Sequence, residues 1–431
     1  MAPPARTAAG DGAGHLGLFP REDGHAGCST VKILFLSRWF PYPPDNGARI
    51  RVFSILRGLG RKHRVDLISF VEDPPSPESC EVLREFLGEV LTVPYRAFQP
   101  GRLTALAGFF SPTPRSLLDT YSQAMADVVT GLAIKEKYDL VVASELDMAP
   151  YARLVSNARK VLEELEVTKI ARRSLDEPHP LRRLRYRLTW WKLSRYLTRL
   201  LEEFDGCTVV SELEREAVMR CAPQLKHMAV IPNGVDLSFY QPADEKEMEP
   251  ESLIFTGALS YRVNFEGLEF FAREIYPLIL AERPGARLYI TGKTAPAPME
   301  RLNLRDKMVF TGYLADLRPM LRRVCVNVVP LLTGGGTRLK ILEGWAAGTP
   351  IVSTSRGAEG LSFEDGRHLL IADQPAQFAR AVLRIISDPA LRASLRENGR
   401  ALVETHYDWN AIVDRLDDFL LSISSGDSLR R

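Results

Sequence analysis

A glycine turn and the helix predicted after it carry the residues with the clearest potential for chemistry. The turn is formed by Gly334, Gly335 and Gly336. It follows the apolar run 324–329, which has the pattern of a buried strand, and it precedes a helical pattern over residues 337–347. Backbone N–H groups at such a turn lack helical partners, and the helix dipole is positive there. The sequence therefore predicts a site suited to an anion, above all a phosphate.

Side chains of the predicted helix extend this site. Gly336, Lys340 and Glu343 are spaced by four and then three residues, so they share one helix face. Lys340 can neutralise a phosphate near the turn, where Thr337 begins the helix and Arg338 adds a second, forked cation. Glu343 lies about 10 Å further along the helix, roughly the distance from a diphosphate to the ribose hydroxyls of a nucleotide. The same residues also fit an ordinary amphipathic helix with solvated flanks, and the pattern alone leaves both interpretations open.

Length, composition and charge exclude several classes of protein. A chain of 431 residues with 45% apolar residues is globular and long enough for two domains. Its 56 basic and 54 acidic residues give a net charge of +2, which provides no general attraction to nucleic acid.

The five cysteines are scattered, without metal-ligand or redox spacing, so we expect a reducing compartment and no metal. No apolar run reaches the ~20 residues of a membrane span, and the chain start has no signal-peptide core. We expect a cytoplasmic protein, either free or peripheral to the inner membrane.

Apolar runs of strand length alternate with helical spacing in both halves of the chain, which predicts the α/β class with parallel sheets. The alternation stops and restarts near residue 240, after a charged stretch that contains proline. We expect a disordered tail (1–29), a first domain (30–240), a second domain (241–405) and a final helix (406–424).

Two loops of the first half are predicted to lie where strands end. Asn46 and Gly47 begin a helix, and Gly47 permits close backbone approach to a ligand, with Arg49 and Arg51 as candidates to face an anion. Ser144 and Glu145 end an apolar run, and ligands of parallel sheets bind beyond the carboxyl ends of strands. These two residues, together with Asp147 shortly after them, are therefore candidates for acceptor binding or proton handling. The alternative is a plain turn at Asn46 and a polar loop that caps the next helix.

A basic and aromatic helix is predicted over residues 181–204, where arginines and lysines alternate with leucine, tyrosine and tryptophan. Such a helix suits the surface of an anionic membrane. The alternative is a surface helix whose aromatic face belongs to the core.

Five stretches resemble the family 4 glycosyltransferases of the GT-B fold. They are VIPNGVDLSFY (230–240), GGGTRLKILEGWAAGTPIVST (334–354), HYDW (406–409), SRWFPYPPDNGARIR (37–51) and FDGCTVVSE (204–212). The second half looks like the nucleotide-sugar domain of that family and the first half like its acceptor domain. The last two stretches are most similar to members from bacterial exopolysaccharide and exosortase gene clusters.

The resemblance implies two facing Rossmann-like domains whose final helix crosses back to the first domain. It implies retaining, metal-independent transfer of a hexose from a nucleoside diphosphate sugar, without a cofactor, to a glycan, a lipid-linked acceptor or a small molecule. Two alternatives remain on the same fold: a binding protein that holds the nucleotide sugar without turnover, and a sugar-nucleotide epimerase.

Matched position by position, the resemblance assigns roles to individual residues. Glu343 matches the second glutamate of the family's E-x7-E motif, which holds the ribose, while Lys340 and Arg338 match cations near the diphosphate. Gly47 matches the glycine of the first-domain loop. We expect the arginine and lysine to act in catalysis, with Glu145 handling protons.

The chain departs from the family pattern at several positions. Gly335 stands where the first glutamate of the motif is expected, and Ser144 stands where a histidine is frequent. After the first strand of the second domain, Gly257 forms the turn, and Arg262 is the nearest candidate for the usual basic residues of the donor site.

Overall fold

The computed structural model describes residues 30–242, 247–295, 297–302, 307–334 and 338–426, apart from the side chain of Asp176. The predicted tail (1–29) lies outside these residues, as do Gly335, Gly336 and Thr337 of the glycine turn.

The first domain is built on a parallel sheet of seven strands in the order β3-β2-β1-β4-β5-β6-β7. Its central strands are buried along almost their whole length because helices cover both faces, as in most parallel sheets. The strands are β1 (Lys32–Ser37), β2 (Arg64–Val71), β3 (Val90–Pro94), β4 (Leu140–Ser144), β5 (Arg159–Glu163), β6 (Gly206–Val209) and β7 (Met228–Val230).

Nine α-helices belong to the described part of this domain, and the longest is the predicted basic helix. They are α1 (Gly47–Lys62), α2 (Pro77–Arg84), α3 (Leu103–Ala107), α4 (Arg115–Thr120), α5 (Gln123–Lys135), α6 (Ala149–Ala152), α7 (Thr168–Asp176), α8 (Pro180–Leu201) and α9 (Glu212–Cys221).

Helix α8 is partly buried in the first domain. Its second half packs into the core through Leu193, Leu197 and Leu200, which are buried. Its first half leaves large apolar side chains exposed, including Leu188 and Trp191. Among the described residues, no helix combines the length and apolarity needed to cross a membrane.

The second domain repeats the plan with a parallel sheet of six strands in the order β10-β9-β8-β11-β12-β13. The strands are β8 (Glu249–Thr256), β9 (Arg287–Thr291), β10 (Met308–Gly312), β11 (Val324–Val329), β12 (Ile351–Ser353) and β13 (Leu370–Ile371). Its described helices are α10 (Arg262–Phe270), continued by a π-helical turn (Phe271–Ile275), α11 (Tyr276–Glu282), α12 (Arg318–Arg323), α13 (Leu339–Ala346), α14 (Pro375–Ser387) and α15 (Pro389–His406).

The last helix, α16 (Trp409–Ser425), returns to the first domain. Its buried face, which includes Trp409 and Ile412, shares one apolar cluster with β1 and α1. Contact with α1 is close enough that a Cβ atom on Gly58 would lie 2.4 Å from Cγ1 of Val413. The prediction of two α/β domains with parallel sheets and a helix that crosses back is therefore confirmed.

Candidate functional site

Helix α13 positions the polar residues of the predicted phosphate site. Ile341, Leu342 and Trp345 bury its apolar face between the strands β11 and β12, and Gly348, with φ of +70°, ends it. The helix begins at Leu339, two residues later than the sequence pattern predicts. Because the apolar stripe is fixed in the core, the opposite stripe faces the carboxyl edge of the sheet.

Lys340 places its amino group at this edge, in a half-buried position. Its Nζ donates to the carbonyl oxygen of Thr256, at the end of β8, over 2.8 Å and to Oδ1 of Asn264 over 2.9 Å. The ammonium group also lies 5.0 Å from the ring centre of Phe255. Burial lowers the pKa of Lys340 to about 7, and the nearby charge of Arg338 lowers it further. An anion bound here would favour the charged form of the lysine.

Glu343 lies one turn further along the same face of α13. Tyr240 donates its hydroxyl to Oε1 of this carboxyl group over 3.3 Å. Burial raises the pKa of Glu343 to about 7, although the Tyr240 hydrogen bond and the charge of Lys340 both act in the opposite direction. One helix face thus presents a cation and then a carboxyl group, in the order that the sequence predicts.

Two glycines let α10 approach this helix face. Gly257 has φ of +129°, and a Cβ atom there would lie 2.6 Å from Nδ2 of Asn264. Gly334 has φ of +108°, and its Cβ would lie 3.0 Å from Cγ1 of Val263. Side chains at either position would be strained, so both glycines serve the close contact between the β8 turn, α10 and the start of the glycine turn.

Arg338 lies at the N-cap of α13 and is buried. Its Nη2 donates to the carbonyl oxygens of Gly334 over 3.2 Å and Arg356 over 2.9 Å. These hydrogen bonds connect the loop after β11 with the loop after β12. Burial lowers its pKa, and the carboxylate of Glu359 opposes that effect.

Arg262 is placed differently from the other donor-site candidates. Its guanidinium pairs with Glu266 over 3.3 Å, and 73% of its side chain is exposed. It borders a cavity that it shares with α7 and α8 of the first domain. The side chain therefore faces the opposite domain.

Ser144 and Arg51 are internal residues of the first domain. Ser144 is buried and donates its hydroxyl to Oε2 of Glu163 over 3.0 Å. Arg51 is fully buried, and its Nε donates to Oε1 of Glu163 over 2.9 Å while Nη2 reaches the carbonyl oxygen of Ile231 over 3.0 Å. The expectation that Arg51 faces a bound anion is wrong, because its charge is balanced inside the protein. The hydroxyl of Ser144 is likewise directed into the core.

Glu145 lies at the carboxyl edge of the first sheet in a strained conformation, with φ of +68°. Nε1 of Trp39 donates to its Oε1 over 2.7 Å. Burial raises the pKa of Glu145 to about 7, so this carboxyl group can take up or release a proton near neutral pH.

The neighbouring strand β5 ends in acidic residues that the sequence reasoning missed. Glu164 has φ of +59°, and burial raises its pKa well above the usual range despite its ion pair with Arg51 at 3.5 Å. The signal was present, because Val161 and Leu162 are a short apolar run followed directly by Glu163 and Glu164, as Ser144 and Glu145 follow β4. Among the described residues, no group of three or more His, Cys, Asp and Glu is arranged to hold a metal ion.

Two contacts join the domains beside the site. Asn46 caps α1 by accepting from the backbone N–H of Arg49 over 3.2 Å, and Gly47 starts the helix. A Cβ atom on Gly47 would lie 3.1 Å from Cδ1 of Leu339, so the first-domain loop touches the first residue of α13. Arg172 of α7 also forms an ion pair with Glu359 of the second domain.

Both halves of the chain match known protein families. Residues 45–239 match the family model described as Glycosyltransferase Family 4, and residues 250–388 match the one described as Glycosyl transferases group 1. An uncharacterised 44.6 kDa protein of the cps region of Klebsiella pneumoniae is 22% identical over 392 residues, which are 88% of this chain and 97% of that protein. The lipopolysaccharide core biosynthesis glycosyltransferase LpsE of Rhizobium meliloti is 33% identical over 159 residues, which are 33% of this chain and 44% of LpsE.

Solved structures share the fold over both domains. Anabaena Alr3699/HepE, in complex with UDP and glucose, is similar with a TM-score of 0.64 at 16% identity, covering 91% of this chain and 100% of that chain. Sucrose-phosphate synthase of Thermosynechococcus elongatus gives a TM-score of 0.65 at 19% identity, covering 92% of this chain and 100% of that chain. The likeness includes both sheets, as the prediction of two facing Rossmann-like domains requires.

Proposed function

The chain belongs to the GT-B glycosyltransferases of the family 4 type, and from this premise we propose that it transfers a hexose from a nucleoside diphosphate sugar to an acceptor with retention of configuration. The observation that carries the proposal is the placement of Lys340 and Glu343 on one face of α13, at the carboxyl end of β8. Retention, metal independence and the use of a hexose are parts of the proposal.

In the proposed complex, the donor diphosphate lies between the glycine turn and Lys340. Burial lowers the pKa of the lysine to about 7, so a bound diphosphate would stabilise the charged form of the lysine. Arg338 supplies a second cation at the start of α13. Glu343 accepts the ribose hydroxyls about one helical turn away, with Tyr240 holding its carboxyl group.

In the proposed reaction, the bond between the sugar carbon C1 and the diphosphate oxygen breaks while the acceptor oxygen bonds to C1. Negative charge then develops on the departing diphosphate, where Arg338 and Lys340 stabilise it without a metal ion or a cofactor. The acceptor attacks on the face that the diphosphate leaves, and its proton passes to the departing phosphate oxygen, which gives retention. Glu145, with its pKa near 7, would orient the acceptor hydroxyl from the first domain.

A second candidate function is nucleotide-sugar binding without turnover. It is favoured by Gly335, which stands where the family motif has an acid, and by Ser144, whose hydroxyl is directed to Glu163 in the core. The protein would then still bind the donor but would no longer transfer its sugar to an acceptor.

The setting that we propose is polysaccharide synthesis on the cytoplasmic side of a bacterial membrane, with a glycan or lipid-linked acceptor. LpsE and the cps-region protein are relatives whose names point to surface polysaccharides, and the exopolysaccharide subgroup is the one that the sequence resembles. Exposed apolar side chains on α3, on the loop after it and on α8, among them Leu103, Phe110 and Trp191, support contact with the membrane surface from the side.

A panel of nucleoside diphosphate sugars tests the proposal, with release of nucleoside diphosphate as the readout and EDTA in parallel samples. Release that needs both donor and acceptor, persists in EDTA and is lost in Lys340→Ala supports transfer. The exposed Lys226→Ala is the matched control and should behave as the wild type. Tight donor binding without release supports the second function, and absence of both contradicts the donor site. The anomeric proton of the product, observed by NMR, decides between retention and inversion.

A further inference from the structure

Four arginines surround a cavity of about 490 Å³ between the two domains. One wall belongs to the second domain and is Arg262, at the start of α10. The other walls belong to the first domain, in the turn from α7 to α8. The first-domain lining residues are Arg173, Glu177, Arg182, Arg185 and Tyr186. We call this space the arginine cavity.

Charge is the main property of the arginine cavity. Its lining carries four guanidinium groups and one carboxylate, that of Glu177, and Glu266 pairs with Arg262 from outside the lining. Like charges brought together around one space repel each other, and an anionic ligand would relieve this repulsion. Guanidinium groups also match the oxygens of a phosphate with paired hydrogen bonds. The volume lies in the range of about 300–1,000 Å³ that is usual for small-molecule sites.

Tyr186 orders the arginines of the first-domain wall. The guanidinium carbon of Arg185 lies 5.0 Å from the centre of its ring, and that of Arg173 lies 5.6 Å from it. Nη1 of Arg173 is also 3.5 Å from the Tyr186 hydroxyl. The ring therefore lies in contact range of two cations of the cavity wall, and fixing their side chains would reduce the entropy lost when a ligand binds both.

The first turn of α10 connects the arginine cavity to the donor site. Arg262 borders the cavity, while the next two residues contact the donor site: Val263 lies against Gly334, and Asn264 accepts from Nζ of Lys340 over 2.9 Å. The cavity wall at Arg262 and the two residues that contact the donor site are therefore consecutive in the first turn of α10.

The surface beside the cavity is apolar. Leu175 of α7 and Leu181 and Leu184 of α8 are 66%, 73% and 55% exposed, and they alternate along the chain with the arginines of the cavity. Arginines that bind an anion next to exposed leucines suit a ligand with a phosphate head and an apolar tail.

We infer that the arginine cavity binds the phosphate or diphosphate group of an acceptor, so that the second substrate of this enzyme is a phosphorylated, lipid-borne sugar. The inference rests on the proposed function, since it names the acceptor class of the same reaction. It adds a second anion site, separate from the donor diphosphate at Lys340.

Inorganic pyrophosphate is the probe for the site, and calorimetric titration measures its affinity. The titration is made on Lys340→Ala, in which the donor diphosphate site is impaired, and on the same protein with Arg182→Gln and Arg185→Gln added. Each lost charged hydrogen bond should weaken binding about tenfold or more. The matched control is Arg199→Gln, an exposed arginine about 20 Å further along α8 that does not line the cavity. Arg262→Gln removes the wall from the other domain and serves as the second variant.

The inference predicts that pyrophosphate binding survives Lys340→Ala, falls in the Arg182→Gln, Arg185→Gln protein and in Arg262→Gln, and is unchanged in Arg199→Gln. Complete loss in Lys340→Ala alone would place the anion in the donor site and overturn the inference. Equal affinity in the cavity variants and the control would overturn it as well. Each arginine substitution should leave the thermal unfolding midpoint of its parent protein unchanged, because the substituted arginines are exposed.

Vesicle flotation separates the two sources of the phosphate group. Phosphatidylcholine vesicles with a polyprenyl diphosphate should bind the wild type more than vesicles without it, and the difference should vanish in the cavity variants. Binding of free pyrophosphate alone would support the phosphate site with a soluble acceptor and overturn the lipid-borne part. Neither experiment needs turnover, so donor-dependent release tests the proposed function independently.

Discussion

The replacement of Lys340 by methionine separates a binding role of this lysine from a structural one. Methionine keeps the length and apolar volume of the side chain but removes the charge and the donors to Thr256 and Asn264. If the lysine serves to bind a diphosphate, its burial should cost folding free energy as long as the lysine is charged and no anion is bound. The variant should then fold well and bind the donor poorly.

The pKa of Lys340 gives the size of this cost. Its ordinary value of 10.5 falls to about 7 in the folded protein, mainly because the ammonium group is buried. Between these values the unfolded chain keeps the proton and the folded protein releases it, so stability rises with pH by about 1.4 kcal/mol per pH unit. From pH 8 to pH 9.5 the wild type should gain about 2 kcal/mol relative to Lys340→Met. The pH range starts at 8 because Glu343, with its pKa of about 7, is ionised above that pH. The charge of Glu343 therefore does not contribute to the difference.

Urea unfolding at the two pH values measures the difference, and calorimetry measures the affinity for the nucleoside diphosphate of the preferred donor. Loss of one charged hydrogen bond predicts an affinity about 10- to 150-fold lower. Lys226→Met, at an exposed lysine of the first domain, is the control and should follow the wild type in both measurements. Stability profiles that stay parallel for Lys340→Met, together with unchanged nucleotide affinity, would refute the reasoning.

Three further predictions concern the residues around this lysine. Glu343→Ala should weaken nucleoside diphosphate binding about tenfold or more and leave pyrophosphate binding unchanged, because the carboxyl group is assigned to the ribose; equal losses in calorimetry would argue against that role. Gly257→Ala should lower the free energy of unfolding by about 1–3 kcal/mol, since its φ of +129° and the 2.6 Å approach to Asn264 exclude a side chain; an unchanged denaturation midpoint would contradict this. Arg172→Gln should change stability by less than about 1 kcal/mol but increase the radius of gyration in X-ray scattering, because it removes the ion pair with Glu359 between the domains; superimposable profiles would contradict it.

The donor helix was predictable from sequence because its signals are local. An apolar run, a glycine turn and then apolar residues at helical spacing fix a strand and a helix over about twenty residues. The spacing of Lys340 and Glu343 then places them on one face, as the structure has them. The partners of the lysine were not predictable, since Thr256 and Asn264 lie 84 and 76 residues earlier in the chain.

The same limit explains the misreading of Arg51. From the sequence, its charge could bind an external anion. In the structure, Glu163, which is 112 residues away in the chain, forms a hydrogen bond with it and balances the charge. The strand that carries Glu163 was itself missed, because its apolar part is short and is flanked by charged residues. Only the assembled sheet places β5 next to β4 and so brings Glu163 to Ser144.

The contact between Gly47 and Leu339 shows how the two domains constrain each other. In the proposed reaction, the acceptor must lie close to the donor phosphates, and a first-domain loop must therefore lie close to the start of α13. At Gly47 a Cβ atom would lie 3.1 Å from Cδ1 of Leu339, tighter than ordinary van der Waals contact. A larger side chain would push the loop away from the residue that immediately precedes Lys340. In the proposed complex, the distance between acceptor and donor therefore depends on the absence of a side chain at position 47 of the first domain.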